Sequence, residues 1–174
     1  MPKFRRTTLT AGLLAGALAL PALAEGNSAT MHAVSTDGVG ETVGVISFED
    51  SDYGLLIHPQ LQGLEAGLHG LHVHQNADCA PATNDKGEVV AAGAAGGHYD
   101  PQGTGRHEGP YGAGHLGDLP NLVVLEDGSA ALVLLAPRLT TADLTGRAIM
   151  IHAGPDDYSD HHPGGSRAYC GVVE

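Results

Sequence analysis

The sequence predicts an all-β domain, an antiparallel sandwich or barrel of about eight short strands that carries two long loops. Three observations favour this class. The 174 residues include 26 Gly and 10 Pro, and both residue types weaken helix interiors. Short apolar runs recur between turn residues, which is typical of strands. No segment keeps a helical apolar period over a useful length.

The strands are expected in a simple order along the chain. They lie at residues 29–34, 42–48, 55–61, 68–74, 121–125, 129–135, 147–152 and 168–173. The clearest turn is Asp127-Gly128, because Asp-Gly between two apolar runs supplies the positive φ that a tight hairpin needs. Length suits one domain, and neither an internal repeat nor a linker divides the chain.

The first 24 residues have the layout of a secretory signal peptide. Their basic residues are Lys3, Arg5 and Arg6. An apolar stretch follows at residues 11–20, and small residues end the segment at Ala24. The stretch is short for a membrane anchor, which takes about 20 apolar residues, so we expect cleavage after Ala24. Residues 25–174 would then form the domain, in the periplasm or otherwise exported, by either the general or the twin-arginine route.

The mature domain is expected to be strongly acidic. Without its three signal-peptide cations, the chain keeps five basic residues against 20 acidic ones, a net charge of −15. That charge disfavours a nucleic-acid partner, and no further segment is apolar enough to span a membrane. In an exported protein, Cys79 and Cys170 favour one disulfide over two free buried thiols.

Two long irregular stretches, residues 75–120 and 153–166, interrupt the strands. Loops of such length in a compact domain are usually functional or disordered. Eight of the 11 histidines lie in these stretches or at the strand ends that enter them. This placement favours a functional interpretation of both loops.

The histidines predict a metal centre. His72 and His74 stand at positions i and i+2 of one strand, so both point to the same side of the sheet. The other candidate ligands are His98, His107, His115, Asp118 and His152. Imidazole suits copper and zinc, and one added carboxylate is compatible with zinc. Seven ligands are enough for two metals if one ligand is shared, whereas scattered surface histidines do not explain this density.

Five blocks of the sequence resemble the copper–zinc superoxide dismutases. They read GLHGLHVH at 67–74, GGHYDP at 96–101, HLGDL at 115–119, GRAIMIHAG at 146–154 and SRAYCGVV at 166–173. A further segment, DDYSD at 156–160, is similar to the bacterial secreted branch of the family. The blocks are colinear with those of the family, and the resemblance covers nearly all of the mature chain.

The resemblance implies an eight-stranded Greek-key barrel and a complete set of site residues. The copper ligands would be His72, His74, His98 and His152. The zinc ligands would be His98, His107, His115 and Asp118, so that His98 bridges both metals as an imidazolate. Asp156 would link a copper histidine to a zinc histidine, Arg167 would stand beside the open copper position, and Cys79 and Cys170 would form the disulfide. His69 would be structural and not a ligand.

The activity that the resemblance implies is dismutation of superoxide to oxygen and hydrogen peroxide, an antioxidant function outside the cytoplasm. Arg167 and His98 would be its catalytic residues, and copper and zinc its cofactors. A metal carrier could use the same ligands, but a carrier needs no anion-docking arginine. An adhesion domain would not explain seven ligands. The sequence leaves open a monomer or a homodimer, and a role for His161 and His162.

Overall fold

The computed structural model of the chain describes residues 27–159 and 164–174. The predicted signal peptide, residues 1–24, and the pair His161-His162 lie outside the described residues. Within them, no helix is long and apolar enough to cross a membrane.

The described residues form eleven strands and two short 3-10 helices. The strands are β1 (Ser28–Ser35), β2 (Gly38–Ser51), β3 (Gly54–Leu61), β4 (Gly67–His69), β5 (Leu71–His74), β6 (Ala82–Thr83), β7 (Val89–Val90), β8 (Leu122–Val124), β9 (Leu134–Ala136), β10 (Ala148–His152) and β11 (Arg167–Val172). The 3-10 helices are Gly93–Ala95 and Thr141–Leu144.

The all-β antiparallel class is confirmed. Seven strands form one sheet in the order β5-β10-β11-β1-β2-β3-β9, and β4 pairs with β8. Both sheets contribute to one core, in which Ile57 of β3 and Ile149 of β10 are buried together with Leu122 of β8. Each of the eight predicted runs overlaps at least one observed strand, although of the run 129–135 only residues 134 and 135 lie in β9. The small β6–β7 pair lies inside the first long loop and was not predicted.

The run 68–74 is two strands and not one. β4 pairs with β8, whereas β5 pairs with β10 in the large sheet. Gly70 separates them, donating its N–H to the carbonyl of Gly154 and accepting from the N–H of His152. A Cβ at Gly70 would lie 3.1 Å from the Cα of Gly164. A side chain at this point would crowd the neighbouring backbone, which favours glycine where the chain changes sheet.

The turn at Asp127-Gly128 is present, but the two runs around it do not pair as a hairpin. Gly128 has φ of 80° and donates to the carbonyl of Leu125. Beyond the turn, Ala130 bridges to Leu61 and β9 pairs with β3. A turn signal reports only the local backbone, whereas the strand partner is decided by which face of the core the next apolar run covers.

Candidate metal centre

Strand β5 places two of the predicted ligands on rigid backbone. His72 pairs with Met150 of β10 and His74 pairs with Ala148. Both histidines are almost completely buried, with exposed fractions of 0% and 1%. The intervening Val73 packs into the hydrophobic core. The alternation of a strand therefore separates an apolar face from a face that carries two imidazoles.

Three imidazoles in this region have one engaged and one unengaged ring nitrogen. His72 Nε2 lies 2.7 Å from Oδ2 of Asp156, His74 Nδ1 lies 2.9 Å from the carbonyl oxygen of Gly96, and His152 Nδ1 lies 2.8 Å from that of Gly165. Since those partners accept hydrogen bonds, each engaged nitrogen is the donor. The opposite nitrogens are buried and have no hydrogen-bond partner among the described residues: His72 Nδ1, His74 Nε2 and His152 Nε2. Each therefore presents a free lone pair, the arrangement of a metal-ligating histidine.

The predicted copper set comes together in space. One ligand atom from each of His72, His74, His98 and His152 lies within 4.8 Å of the others. His98 enters this group from the long loop, through a bridge to His74. His69 stays outside it, because its two ring nitrogens lie 2.8 Å from the carbonyl oxygens of His152 and Glu65. Both ring nitrogens of His69 are thus engaged with backbone oxygens, which agrees with the prediction of a structural residue and not a ligand.

The predicted zinc set gathers around one oxygen, Oδ1 of Asp118. The Nδ1 atoms of His107, His98 and His115 lie 2.9, 3.0 and 3.5 Å from it. One ligand atom from each of four residues lies within 4.8 Å of the others, and these residues are His72, His98, His107 and Asp118. His115 is not in this group. His115 therefore sits at the margin of the set. His72 and His98 both belong to the two groups, and of these two it is His98 whose Nδ1 lies 3.0 Å from Oδ1 of Asp118.

The carboxylate of Asp156 links the predicted copper set to the predicted zinc set. Its Oδ2 accepts from Nε2 of His72 at 2.7 Å and from Nε2 of His107 at 2.8 Å. The carboxylate is buried, and its exposed fraction is 4%. Because a neutral ring that donates from Nε2 keeps its lone pair on Nδ1, Asp156 fixes the tautomer of His72. It would do the same for His107 once that ring has lost its second proton.

The protonation states follow from burial and from these contacts. Burial disfavours the charged ring, which lowers the pKa of His72 to about 3 and of His152 to about 4, and lowers the pKa of His74 well below its usual range. Burial also opposes the charged form of His107, but its hydrogen bonds to Asp118 and Asp156 outweigh burial and raise its pKa to about 9. His72, His74 and His152 are therefore neutral at pH 7, as ligands must be. A metal at His107 would displace a proton.

Arg167, at the start of β11, lies beside the predicted copper set. Its guanidinium donates to the carbonyl oxygens of Ala92 and Gly96. The same Gly96 oxygen accepts from Nδ1 of His74. Burial is the largest cause of the lowered pKa of His74, and electrostatic interactions with His98 and then with Arg167 lower it further. The cation is thus held by neutral carbonyls and leaves its charge available to an anion.

The residues present fit copper and zinc. Three buried lone pairs converge with a fourth imidazole, which matches a nitrogen-rich copper site. Three imidazoles around one carboxylate match a zinc site. The sequence model described as copper/zinc superoxide dismutase (SODC) matches residues 42–173.

The chain belongs to this family.

Relatives and solved structures extend the match over most of the chain. The copper–zinc superoxide dismutase of Escherichia coli strain K12 is 46% identical over 167 residues, which cover 93% of this chain and 96% of that protein. The structure of the enzyme from Brucella abortus superposes with a TM-score of 0.82 at 41% identity, covering 86% of this chain and all of that one. The solution structure of the monomeric enzyme from Salmonella enterica gives 0.76 at 47% identity, covering 84% and 98%.

The disulfide expected for this superoxide dismutase is confirmed. Cys79 and Cys170 are bonded, with Cα atoms 5.8 Å apart. The bond ties the start of the long loop to β11, three residues beyond Arg167. Cys170 is buried in a small cluster with Ala92 and Ala95, which both lie within this loop.

One residue that holds Asp156 in place, Asn121, was not predicted from the sequence. Its side chain donates to the carbonyl oxygen of Asp156 at 2.8 Å and accepts from the Asp156 N–H at 2.9 Å. Its own N–H donates to the hydroxyl of Tyr158 at 3.0 Å. The amide therefore holds the backbone of Asp156 as a neighbouring strand would. Asn121 follows a proline before an apolar run, and nothing in that local pattern indicates such a partner.

Proposed function

We propose that the mature chain dismutates superoxide, converting two superoxide anions and two protons to one oxygen and one hydrogen peroxide, as an antioxidant defence outside the cytoplasm. One observation carries the proposal. His98 lies in one group with His72, His74 and His152, whose unengaged nitrogens are buried, and its own Nδ1 lies 3.0 Å from Oδ1 of Asp118 in the second group. Two adjacent metals that share a ligand are the arrangement this activity uses in the family.

In this proposal, His72, His74, His98 and His152 hold copper, and His98, His107, His115 and Asp118 hold zinc. Bound copper supplies the one-electron couple that the reaction needs, whereas zinc supplies charge and geometry because it has no accessible redox change. The chain keeps His72, His74 and His152 neutral by burial. It fixes their tautomers through Asp156, Gly96 and Gly165.

Two residues act on the substrate. Arg167 docks the superoxide anion through charge-assisted hydrogen bonds, which are stronger than neutral ones. A local cation matters here because the net charge of −15 repels anions at long range. His98 would carry a proton on Nε2 only while that nitrogen does not ligate a metal, and would donate it to the peroxide that forms.

The test is metal analysis combined with a superoxide-consumption assay on the purified mature protein. We expect one copper and one zinc per chain, and superoxide consumption that is lost when the metals are removed and regained when both are returned. Full activity of a chain that retains no zinc ligand would contradict the assigned zinc set. Tight binding of both metals without superoxide consumption would point to a metal carrier.

Arg167→Ala separates an enzyme from a carrier. We expect the second-order rate to fall by about tenfold or more, a typical size for lost local steering, while both metals stay bound. Arg167→Lys should keep part of the rate, since a point charge remains but the bidentate fork is lost. The wild-type rate should fall slightly with ionic strength, and that of Arg167→Ala should be flat or rise.

The matched control is Lys86→Ala, which removes one positive charge from an exposed turn. Its rate should change by less than about twofold, because surface charges are largely screened. An unchanged rate and an unchanged salt dependence in Arg167→Ala would remove the docking role.

The export proposal has its own measurement. We propose that residues 1–24 are cleaved as a signal peptide and that the mature domain works in the periplasm. Intact mass of protein from the exported fraction should correspond to a chain that begins at Glu25. Sedimentation of the same sample distinguishes a monomer from the homodimer that the sequence leaves open.

A further inference from the structure

Two of the proposed zinc ligands are carried by a segment with no regular structure. His107 and His115 stand at the ends of residues 107–115, which contain neither strand nor helix. Three of the residues between them are glycines, Gly109, Gly112 and Gly114. Glycine loses more backbone freedom on ordering than any other residue. The segment therefore needs contacts from outside itself to hold its two histidines at a fixed separation.

The side chain of Arg138 supplies such contacts. Arg138 lies two residues beyond β9 and is partly buried. Its guanidinium donates four hydrogen bonds, all to carbonyl oxygens of this segment. They run from Nε to Pro110 at 3.1 Å, from Nη1 to Gly114 at 3.1 Å, and from Nη2 to Gly109 at 3.2 Å and His115 at 2.6 Å.

These four oxygens belong to the two ends of the segment. Gly109 and Pro110 follow His107, whereas Gly114 immediately precedes His115. One rigid planar group thus fixes the distance between the backbone after the first ligand and the backbone at the second. Within the described part of the chain, no carboxylate lies within ion-pair distance of Arg138. Its donors are used on the segment alone.

The opposite side of the segment is held by a zinc ligand. Oδ2 of Asp118 accepts from the N–H groups of Glu108 and Gly109, at 3.2 and 3.3 Å. Gly109 is therefore held from both sides, by Asp118 through its N–H and by Arg138 through its carbonyl. Gly114 lies against the carbonyl of Arg106, where a Cβ would approach to 2.3 Å. A residue with a side chain in place of Gly114 would therefore force the backbone here to shift.

We propose that Arg138 is a positioning residue for the zinc site: it sets the separation of His107 and His115 around Asp118 by clamping both ends of the segment between them. The inference rests on the proposed zinc ligand set. Lysine cannot fully replace Arg138, because an ammonium is a compact point donor, whereas the guanidinium is a planar fork with five donors.

The experiment compares zinc binding by mature wild type, Arg138→Gln and Arg138→Lys, each with its disulfide intact. Zn²⁺ affinity is measured by competition with a chromophoric chelator, and Cu²⁺ affinity in the same way. We expect Arg138→Gln to weaken zinc binding by about 10- to 100-fold, the usual effect of losing a group that orients metal ligands. The zinc affinity of Arg138→Lys should lie between that of Arg138→Gln and that of wild type. Copper affinity should change far less, because His72, His74 and His152 lie on strands.

A second readout reports geometry and not stability. Co²⁺ in place of zinc gives visible absorption bands that depend on the arrangement of its ligands. These bands should shift in Arg138→Gln and stay as in wild type in the control Lys86→Gln, which removes an exposed charge far from the segment in sequence. A merely structural role would lower the melting temperature of the metal-free chain and leave the bands unchanged.

Two results would overturn the inference. One is an unchanged zinc affinity and cobalt spectrum in Arg138→Gln. The other is an equal loss of both metals in both Arg138 variants together with a lower melting temperature. A wild-type chain that binds no zinc would instead remove the proposed zinc set itself, so the two failures are distinguishable.

Discussion

Asp156→Ala should weaken zinc binding by about 10- to 100-fold, since partners that orient metal-ligating histidines typically contribute this much affinity. The carboxylate accepts from Nε2 of both His72 and His107. Its removal leaves two buried donors without a partner and lets both rings rotate or change tautomer. The measurement is chelator competition for each metal on the mature protein.

The loss of affinity should be unequal between the two metals. His72 is held in β5 by its pairing with β10, whereas His107 lies in a segment without regular structure. We therefore expect copper affinity to fall by less than about tenfold. Asp156→Asn should be intermediate, because the amide keeps one acceptor oxygen but presents a donor to the other ring.

The control for Asp156 is Asp37→Ala, which removes an exposed carboxylate from the turn between β1 and β2. It should leave both affinities unchanged. If Asp156→Ala kept wild-type zinc affinity, the linking role would be wrong. If it lost both metals equally, the unequal support of the two histidines would be wrong.

The sequence alone predicted the strands well because their signal is local. Alternation and turn residues placed all eight runs, including His72 and His74 on one face of β5. Partner choice is not local. The split of 68–74 at Gly70 and the separation of the two runs around Gly128 depend on which sheet closes over the core, and the strand pattern is the same in either case.

The candidate site was predicted in two ways. The two histidines of β5 follow from strand geometry, whereas the convergence of His98, His107 and His115 was implied by the family resemblance. Asn121 and Arg138 were missed for a common reason. Each acts on backbone groups far away in sequence, so its partners carry no side-chain signature that a pattern could show.

Breaking the disulfide should cost the metal-free chain about 4 kcal/mol of unfolding free energy in the chain-entropy account. Cys79 and Cys170 are 91 residues apart, so the bond closes a long loop and removes much freedom from the unfolded chain. The Cys79→Ala/Cys170→Ala double variant and the reduced wild type should show the same loss in urea unfolding. Because Ala92 and Ala95 pack in the cluster of Cys170, we also expect the loop segment that holds Arg167 to loosen.

A rate measurement separates the effect of the disulfide on the stability of the fold from its effect on the position of Arg167. Ala92 and Gly96 supply the carbonyls that hold the guanidinium of Arg167, and the bond fixes their segment to the strand that carries this arginine. The double variant loaded with both metals should therefore lose part of the superoxide rate, and adding Arg167→Ala to it should lower the rate by less than in wild type. Additive losses would show that the disulfide stabilises the fold without placing Arg167. Two free thiols by mass spectrometry in exported wild type would contradict the bond itself.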